Sequence, residues 1–135
     1  MKNHAGKINI ITIVILVVIA AAVVIYYFMP RKPADVSDEY YKYGKAALEI
    51  VDQYLDYEIT VDEASEALKE LERREGTLPS KTSHADTMIK LCVSASARHV
   101  SSINLDTKLY RNVDKSKYND LVEKRNELAD YLGVK

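Results

Sequence analysis

Apolar residues are continuous near the N-terminal end of this chain and periodic after it. Residues 8–29 carry no charge, and their polar members are Asn9, Thr12 and two tyrosines. A helix of these 22 residues is about 33 Å long, enough to cross a hydrocarbon layer of about 30 Å. Fourteen of them are Ile, Val, Leu or Phe, which together favour insertion by about 4–8 kcal/mol. The segment predicts a single transmembrane anchor helix.

The C-terminal end of this segment has the residues expected at a membrane interface. Tyr26, Tyr27 and Phe28 form an aromatic belt, and Pro30 ends the helix. Arg31 and Lys32 follow, while Lys2, Lys7 and the α-amino group precede the segment. The slight excess of positive charge on the N-terminal side favours a cytoplasmic N-terminus and an extracytoplasmic domain.

Two other interpretations fit the apolar segment less well than a transmembrane anchor. In a cleaved signal peptide, Ala20, Ala21 and Ala22 would be the small-residue cleavage site. The mature chain would then start with an apolar stretch, and the segment exceeds the usual 7–15-residue apolar region of signal peptides. A buried core helix of a soluble protein is disfavoured, because 22 uncharged residues are too long and too uniformly apolar for one.

A short basic tail, Gly6 and a long apolar helix also resemble the N-terminus of type IV pilin-like proteins. The resemblance covers about 25 residues. Those proteins typically carry a glutamate five residues after the glycine, where this chain has Ile11 and no acid occurs in the helix. A pilin-like protein is therefore only a distant alternative.

From residue 36 onwards, apolar residues recur at three- and four-residue spacing, which predicts amphipathic helices. The first is expected over residues 37–57, with Ser37 as N-cap. The second begins with a capping box formed by Thr60 and Glu63, and Gly76 should follow its last turn as a left-handed cap. The inward residues predicted for this hairpin are Tyr40, Tyr43, Ala47, Ile50, Val51, Tyr54, Ala64, Ala67, Leu68 and Leu71.

Two further helices are predicted to form a second hairpin. One starts near Thr82 or Ser83 and either breaks at Asn104 or continues to about Arg111. The other covers about residues 116–132 and ends at Gly133. The inward residues predicted for the first of these helices are Ala85, Met88, Ile89, Cys92, Ala95, Ser96, His99 and Ile103. Those predicted for the second are Tyr118, Leu121, Val122, Leu128, Ala129 and Leu132. The small residues 92–97 should let another helix approach closely.

The expected fold is therefore all-α: a single N-terminal transmembrane helix, then a small antiparallel helical-hairpin domain of about four helices. The boundaries are a tail at residues 1–7, the anchor at 8–29, a connector at 30–35 and the domain at 36–135. The domain comprises two hairpins, at approximately 36–76 and 80–133.

Charge divides the domain into unlike halves. Residues 35–75 hold 13 acids and 5 bases, whereas residues 76–135 hold 7 acids and 10 bases. The simplest interpretation is that the two halves pack on each other, and the alternative is a docking surface for a charged partner. The domain has no overall basic excess to neutralise phosphates, so nucleic-acid binding is not expected.

Two constellations resemble metal sites, and neither fits. The first aligns Asp52, Asp56, Glu58, Ile59, Thr60 and Glu63 with an EF-hand loop. However, Tyr54 and Tyr57 stand where that loop requires a carboxylate and a glycine. The second is the stripe His84, Met88, Cys92 and His99. At 1.5 Å per residue these donors are spread over about 22 Å of one helix, too far for one ion. No metal or cofactor is expected.

The sequence contains no Gly-x-Ser-x-Gly, His-Glu-x-x-His, Cys-x-x-Cys or phosphate-binding glycine loop. We therefore expect no catalytic residues and no enzyme activity. Cys92 is the only cysteine, so no internal disulfide can form; a buried thiol is the simpler interpretation and an intermolecular disulfide the alternative. Among the tyrosines after the connector, Tyr41 is expected to face outward. A tyrosine-lined core with hydroxyls at its rim is the simpler interpretation of this cluster, and contact with lipid headgroups or a partner is the alternative.

The resulting hypothesis is a single-pass, membrane-anchored helical interaction or structural module, an accessory protein of the cell envelope. Its expected partners are the lipid bilayer and a protein partner or a second copy. The alternatives are a membrane-tethered ligand-sensing domain and an accessory subunit of a membrane complex.

Overall fold

The computed structural model describes residues 10–28, 32–78, 83–110 and 112–134, and all regular secondary structure in these ranges is helical. The elements are α1 (Ile10–Phe28), α2 (Asp38–Leu55), α3 (Val61–Arg74), a short 3₁₀ helix (Glu75–Thr77), α4 (His84–Lys108) and α5 (Lys115–Leu132). The all-α prediction is confirmed. The predicted tail at residues 1–7 and both ends of the predicted anchor lie outside the described residues.

The helix boundaries follow from local hydrogen bonds that the sequence signals. Ser37 caps α2 by accepting the N–H of Tyr40, and Thr60 and Glu63 form the reciprocal capping box of α3. Ser83 caps α4, which continues past Asn104 to Lys108, so the open question of a break is settled. At the other end of the chain, Gly133 closes α5 in the left-handed conformation, as predicted.

Helices α2 to α5 form an up-down-up-down bundle, whose directions can be followed from contacts at both ends. Ion pairs join Asp62 to Lys108 and Glu75 to Lys90, so α3 and α4 run antiparallel. Asp52 in α2 pairs with Arg125 near the middle of α5, while the space around Gly44 is bounded by Leu132. Helices α2 and α5 are therefore antiparallel as well.

Helices α2 and α4 lie on the close diagonal of this bundle. Their N-terminal ends are joined by a 2.9 Å hydrogen bond from the backbone N–H of Ser37 to the carboxylate of Asp86. Further along, a Cβ atom placed on Gly44 would lie 2.9 Å from Ile89 Cγ2. The absence of a side chain at Gly44, facing a helix rich in small residues, is what allows this approach.

Helix α1 packs on the outside of the bundle, along α2 and α3. Val18 and Ala22 are fully buried there, and Val14 and Ile15 pack against the same core. Within the part of the chain that the structure describes, no helix is long and apolar enough to cross a membrane. The predicted transmembrane helix thus has no support from the structure.

Three side-chain predictions were wrong. Tyr41 is 2% exposed and belongs to the core, because α2 is covered on several sides by α3, α4 and α5 and not along a single seam. Tyr118 and Val122 were expected inward but lie exposed on α5, which contacts only α2 and α4 closely. His99, like Tyr54 and Met88, is half-buried.

The end of α3 also differs from the prediction. Gly76 lies inside the 3₁₀ turn Glu75–Thr77 and does not adopt a left-handed conformation. The chain tightens into this turn after Arg74, and the hydroxyl of Thr77 donates a 2.7 Å hydrogen bond to the Arg74 carbonyl. Arg74 therefore ends the α-helix without a glycine cap.

Candidate functional site

A cleft of about 480 Å³ opens at the end of the bundle where α2 turns into α3. The end of α4 and the first turn of α5 complete its wall. Ten residues line it: Tyr54, Leu55, Tyr57, Glu58, Ile59, Thr60, Val61, Glu63, Thr107 and Tyr118. A concave, largely apolar site with a few polar groups has the general character of a ligand pocket.

Tyr57 stands at the mouth of this cleft in an unusual backbone conformation. Its φ angle is +62°, and its side chain is 94% exposed. The N–H of Tyr57 donates to the carbonyl of Tyr54 and the N–H of Glu58 donates to that of Gln53, a Schellman ending in which glycine usually occupies the left-handed position. A tyrosine there costs backbone strain and displays a whole aromatic ring to solvent.

Two further tyrosines line the cleft, Tyr54 in the last turn of α2 and Tyr118 in the first turn of α5. Tyr54 is half-buried. Burial, followed by the neighbouring Tyr118, raises the pKa of Tyr54 well above its ordinary value. The phenol therefore stays neutral across the physiological range.

The polar groups of the cleft are acidic or neutral. Glu58 and Glu63 bring two carboxylates, whereas no Lys, Arg or His belongs to the described lining. Glu63 also accepts the N–H of Thr60 at 2.8 Å, so its position is fixed by the capping box. The cleft consequently has a net negative character.

Two basic side chains near this end of the bundle, Lys108 and Lys117, are already paired. Lys108 lies 3.1 Å from Asp62 and Lys117 lies 2.5 Å from Asp106. On the other side of α2, Arg125 donates two hydrogen bonds to Asp52, at 2.7 and 3.0 Å. Three ion pairs, at Asp52, Asp62 and Glu75, join the acidic half of the domain to the basic half, consistent with the two halves packing on each other.

The residues of the calcium-like constellation have other partners in the structure. Asp52 binds Arg125 and Glu63 caps α3. The members of the soft-donor stripe on α4 differ in exposure: His84 is exposed, whereas Cys92 is buried. In the described ranges no three His, Cys, Asp or Glu residues come together as a possible metal site.

Burial raises the pKa of the Cys92 thiol. The thiol therefore remains protonated and shielded, consistent with the interpretation of an inert core cysteine. An intermolecular disulfide through Cys92 would require the core to open.

A second surface feature is the outward stripe of α1. Its members follow helical spacing and include the exposed side chains of Ile10, Ile13, Val17, Ala20 and Val24. The exposed Leu16 belongs to the same outward stripe. A continuous exposed apolar face of this kind is typical of a surface that contacts lipid or another protein.

The sequence pattern does not indicate the cleft, although most of the lining residues lie in the predicted first hairpin. Tyr57 and Tyr118 are brought together only by the packing of α2 against α5. Thr107 belongs to α4, for which the sequence allowed two different C-terminal ends. One signal was present: a tyrosine follows the end of α2 where a glycine would be usual. No protein-family model, curated protein or solved structure shows significant similarity to this chain.

Proposed function

We propose that this protein is a membrane-tethered helical interaction or structural module with no catalytic activity of its own. The observation that carries the proposal is the outward face of α1, where Ile10, Leu16, Val17 and Val24 are each more than half exposed. Residues 8–29 contain no charged side chain that could interrupt this surface. An apolar face of this length is costly in water and favourable against lipid tails.

The finer form of the proposal is a spanning anchor. In it, α1 leaves its place on α2 and α3, and residues 8–29 enter the bilayer with the N-terminus in the cytoplasm. Residues 30–35 reach at most about 20 Å when extended, so the bundle stays near the headgroups. In the coarser form, α1 remains docked and lies in the interface with only its outward stripe in lipid.

Charge substitutions on the outward stripe test both forms. Leu16→Arg and Val17→Arg together shift the insertion free energy by about 6–8 kcal/mol, which offsets the favourable insertion of the whole segment. Both side chains are 57% exposed, so the fold should tolerate the change. We expect the wild-type full chain to float with lipid vesicles and the double variant to remain at the bottom of the gradient.

The matched control is Leu91→Arg with Leu105→Arg on α4, where the side chains are 54% and 55% exposed. This control should float like the wild type. Equal flotation of both double variants would overturn the role given to α1. Resistance of the wild-type protein to alkaline carbonate extraction would favour the spanning form, whereas release by carbonate would favour the interfacial form.

Topology can be read from an introduced thiol. Asn119→Cys places a cysteine at an exposed position of α5, while the buried Cys92 should react slowly. Labelling of intact cells by a membrane-impermeant maleimide is expected for an extracytoplasmic bundle. Labelling only after lysis would reverse the proposed orientation.

An accessory subunit of a membrane complex is the second candidate, since another protein could cover the same outward stripe. Crosslinking in native membranes separates the two. A specific crosslinked partner that is lost in the Leu16→Arg, Val17→Arg variant supports the subunit role, and recovery of a lone monomer counts against it.

A further inference from the structure

We propose that the tyrosine-lined cleft binds a compact organic cation, an ammonium group carried on an aromatic or alkyl body. This proposal does not rest on membrane tethering, because none of the lining residues belongs to α1. Its basis is the combination of a cavity of suitable size, three aromatic rings and two carboxylates. Each of these has a separate structural origin.

The cavity matches a ligand of modest size. Its volume of about 480 Å³ falls within the range of small-molecule pockets. Leu55, Ile59 and Val61 give it an apolar floor, on which a hydrocarbon body can lie without losing hydrogen bonds to water.

Three tyrosine rings supply the surface that attracts a cation. The π-face of an aromatic ring carries negative potential, so an ammonium group within about 6 Å of several rings is held by each of them. Tyr54 is restricted by being half-buried, and Tyr57 is held at the mouth of the cleft by its left-handed backbone. This restriction before binding lowers the entropy that a ligand must offset.

The carboxylates around the cavity also favour a positively charged ligand. Glu58 and Glu63 line the cleft, and the nearby Lys108 and Lys117 are held by Asp62 and Asp106. A cation entering the cleft would meet carboxylates without displacing a lysine.

Helix dipoles add to this preference. The C-terminal ends of α2 and α4, both with partial negative charge, reach the cleft through Leu55 and Thr107. The last turn of α2 contains no basic residue to compensate, whereas that of α4 contains Lys108, which is paired with Asp62. The opposing N-terminus of α3 already carries Asp62 and Glu63, which neutralise its partial positive charge.

An ammonium group can belong to a free amine or to a lipid headgroup. Helix α2 starts beside the connector and ends at the cleft, so the cleft lies about 27 Å along the axis from the connector, at 1.5 Å per residue. In the spanning form of the tethering proposal this distance separates the cleft from the bilayer. The shared chemistry is the cation, and the experiment separates its two sources.

The test is a titration of the full chain in detergent micelles with benzyltrimethylammonium, followed by tyrosine fluorescence, which no tryptophan obscures. Phenylacetate serves as the anionic counterpart and benzyl alcohol as the neutral one. We expect saturable binding of the ammonium probe at least tenfold tighter than either. Equal affinity for phenylacetate, or no saturable binding of the cation, would overturn the proposal.

A matched pair of variants assigns the binding to the cleft. Tyr57 and Tyr110 both follow a helix end with positive φ, +62° and +55°, and are 94% and 98% exposed, but Tyr110 does not line the cleft. Glycine at either position relieves strain, so both variants should fold. Tyr57→Gly should weaken binding by about 3- to 30-fold, whereas Tyr110→Gly should leave it unchanged.

Glu58→Gln tests the charge separately from the rings. It should weaken binding of the ammonium probe several-fold and leave benzyl alcohol unaffected. Competition by phosphatidylcholine vesicles but not by phosphatidylglycerol vesicles would identify a headgroup as the source, and no competition by either would identify a free amine. Indistinguishable affinities of wild type, Tyr57→Gly and Glu58→Gln would refute the site.

Discussion

Replacing Gly44 by alanine tests the close approach on which the bundle depends. The added Cβ would lie 2.8 Å from Leu132 Cδ2 and 2.9 Å from Ile89 Cγ2, closer than carbon atoms approach without displacement. The Leu132 methyl can rotate away, but Cγ2 of Ile89 is attached to a branched Cβ and moves only if the stiff χ1 angle changes or the helix shifts. Helix propensity gains about 1 kcal/mol from Gly→Ala, whereas overpacking a core costs about 1–3 kcal/mol.

The expected net result is a loss of up to about 2 kcal/mol in the free energy of unfolding, measured by urea denaturation with circular dichroism at 222 nm. Gly76→Ala is the matched control, since no atom lies within 4 Å of the added Cβ and the φ angle is not positive. It should be neutral or stabilising by up to about 1 kcal/mol. If Gly44→Ala is as stable as Gly76→Ala, then α2, α4 and α5 do not pack as closely as described.

Two further predictions concern charge. Arg125→Met should lower the free energy of unfolding by about 1–3 kcal/mol, because it leaves the half-buried carboxylate of Asp52 without its two hydrogen bonds. The control is the neighbouring Lys124→Met, which removes an i,i+3 ion pair and should cost about 0.5 kcal/mol or less in the same urea assay. Burial, followed by the charges of Glu72 and Glu75, raises the pKa of Tyr43, so above pH about 10 the folded state keeps a proton that the unfolded chain releases. The urea midpoint should therefore fall as the pH rises above about 10, and it should fall less steeply in Tyr43→Phe. Identical pH profiles of the two proteins would contradict this.

Local signals in the sequence were sufficient for the helices but not for their faces. Ser37, Thr60 and Gly133 act through atoms within a few residues, and each has the predicted role. Tyr41 and Tyr118 failed because burial depends on how many neighbours surround a helix. A pattern that assumes one seam places Tyr41 outside, whereas α2 is surrounded by several helices. The same limitation hid the cleft, which needs the ends of four helices to meet.

The position of α1 rests on a balance between two surfaces of similar strength. Burying one Val, one Ala and two half-buried aliphatic side chains against α2 and α3 is worth about 4–6 kcal/mol, and the insertion of the whole apolar segment is worth about 4–8 kcal/mol. Because these figures overlap, neither surface holds α1 against the other by a wide margin. A bilayer can therefore compete with the bundle for α1. On leaving, α1 uncovers Tyr43, Ala46 and Leu71, which border the groove beneath it. An apolar surface exposed only at the membrane would restrict any protein partner of α2 and α3 to that location.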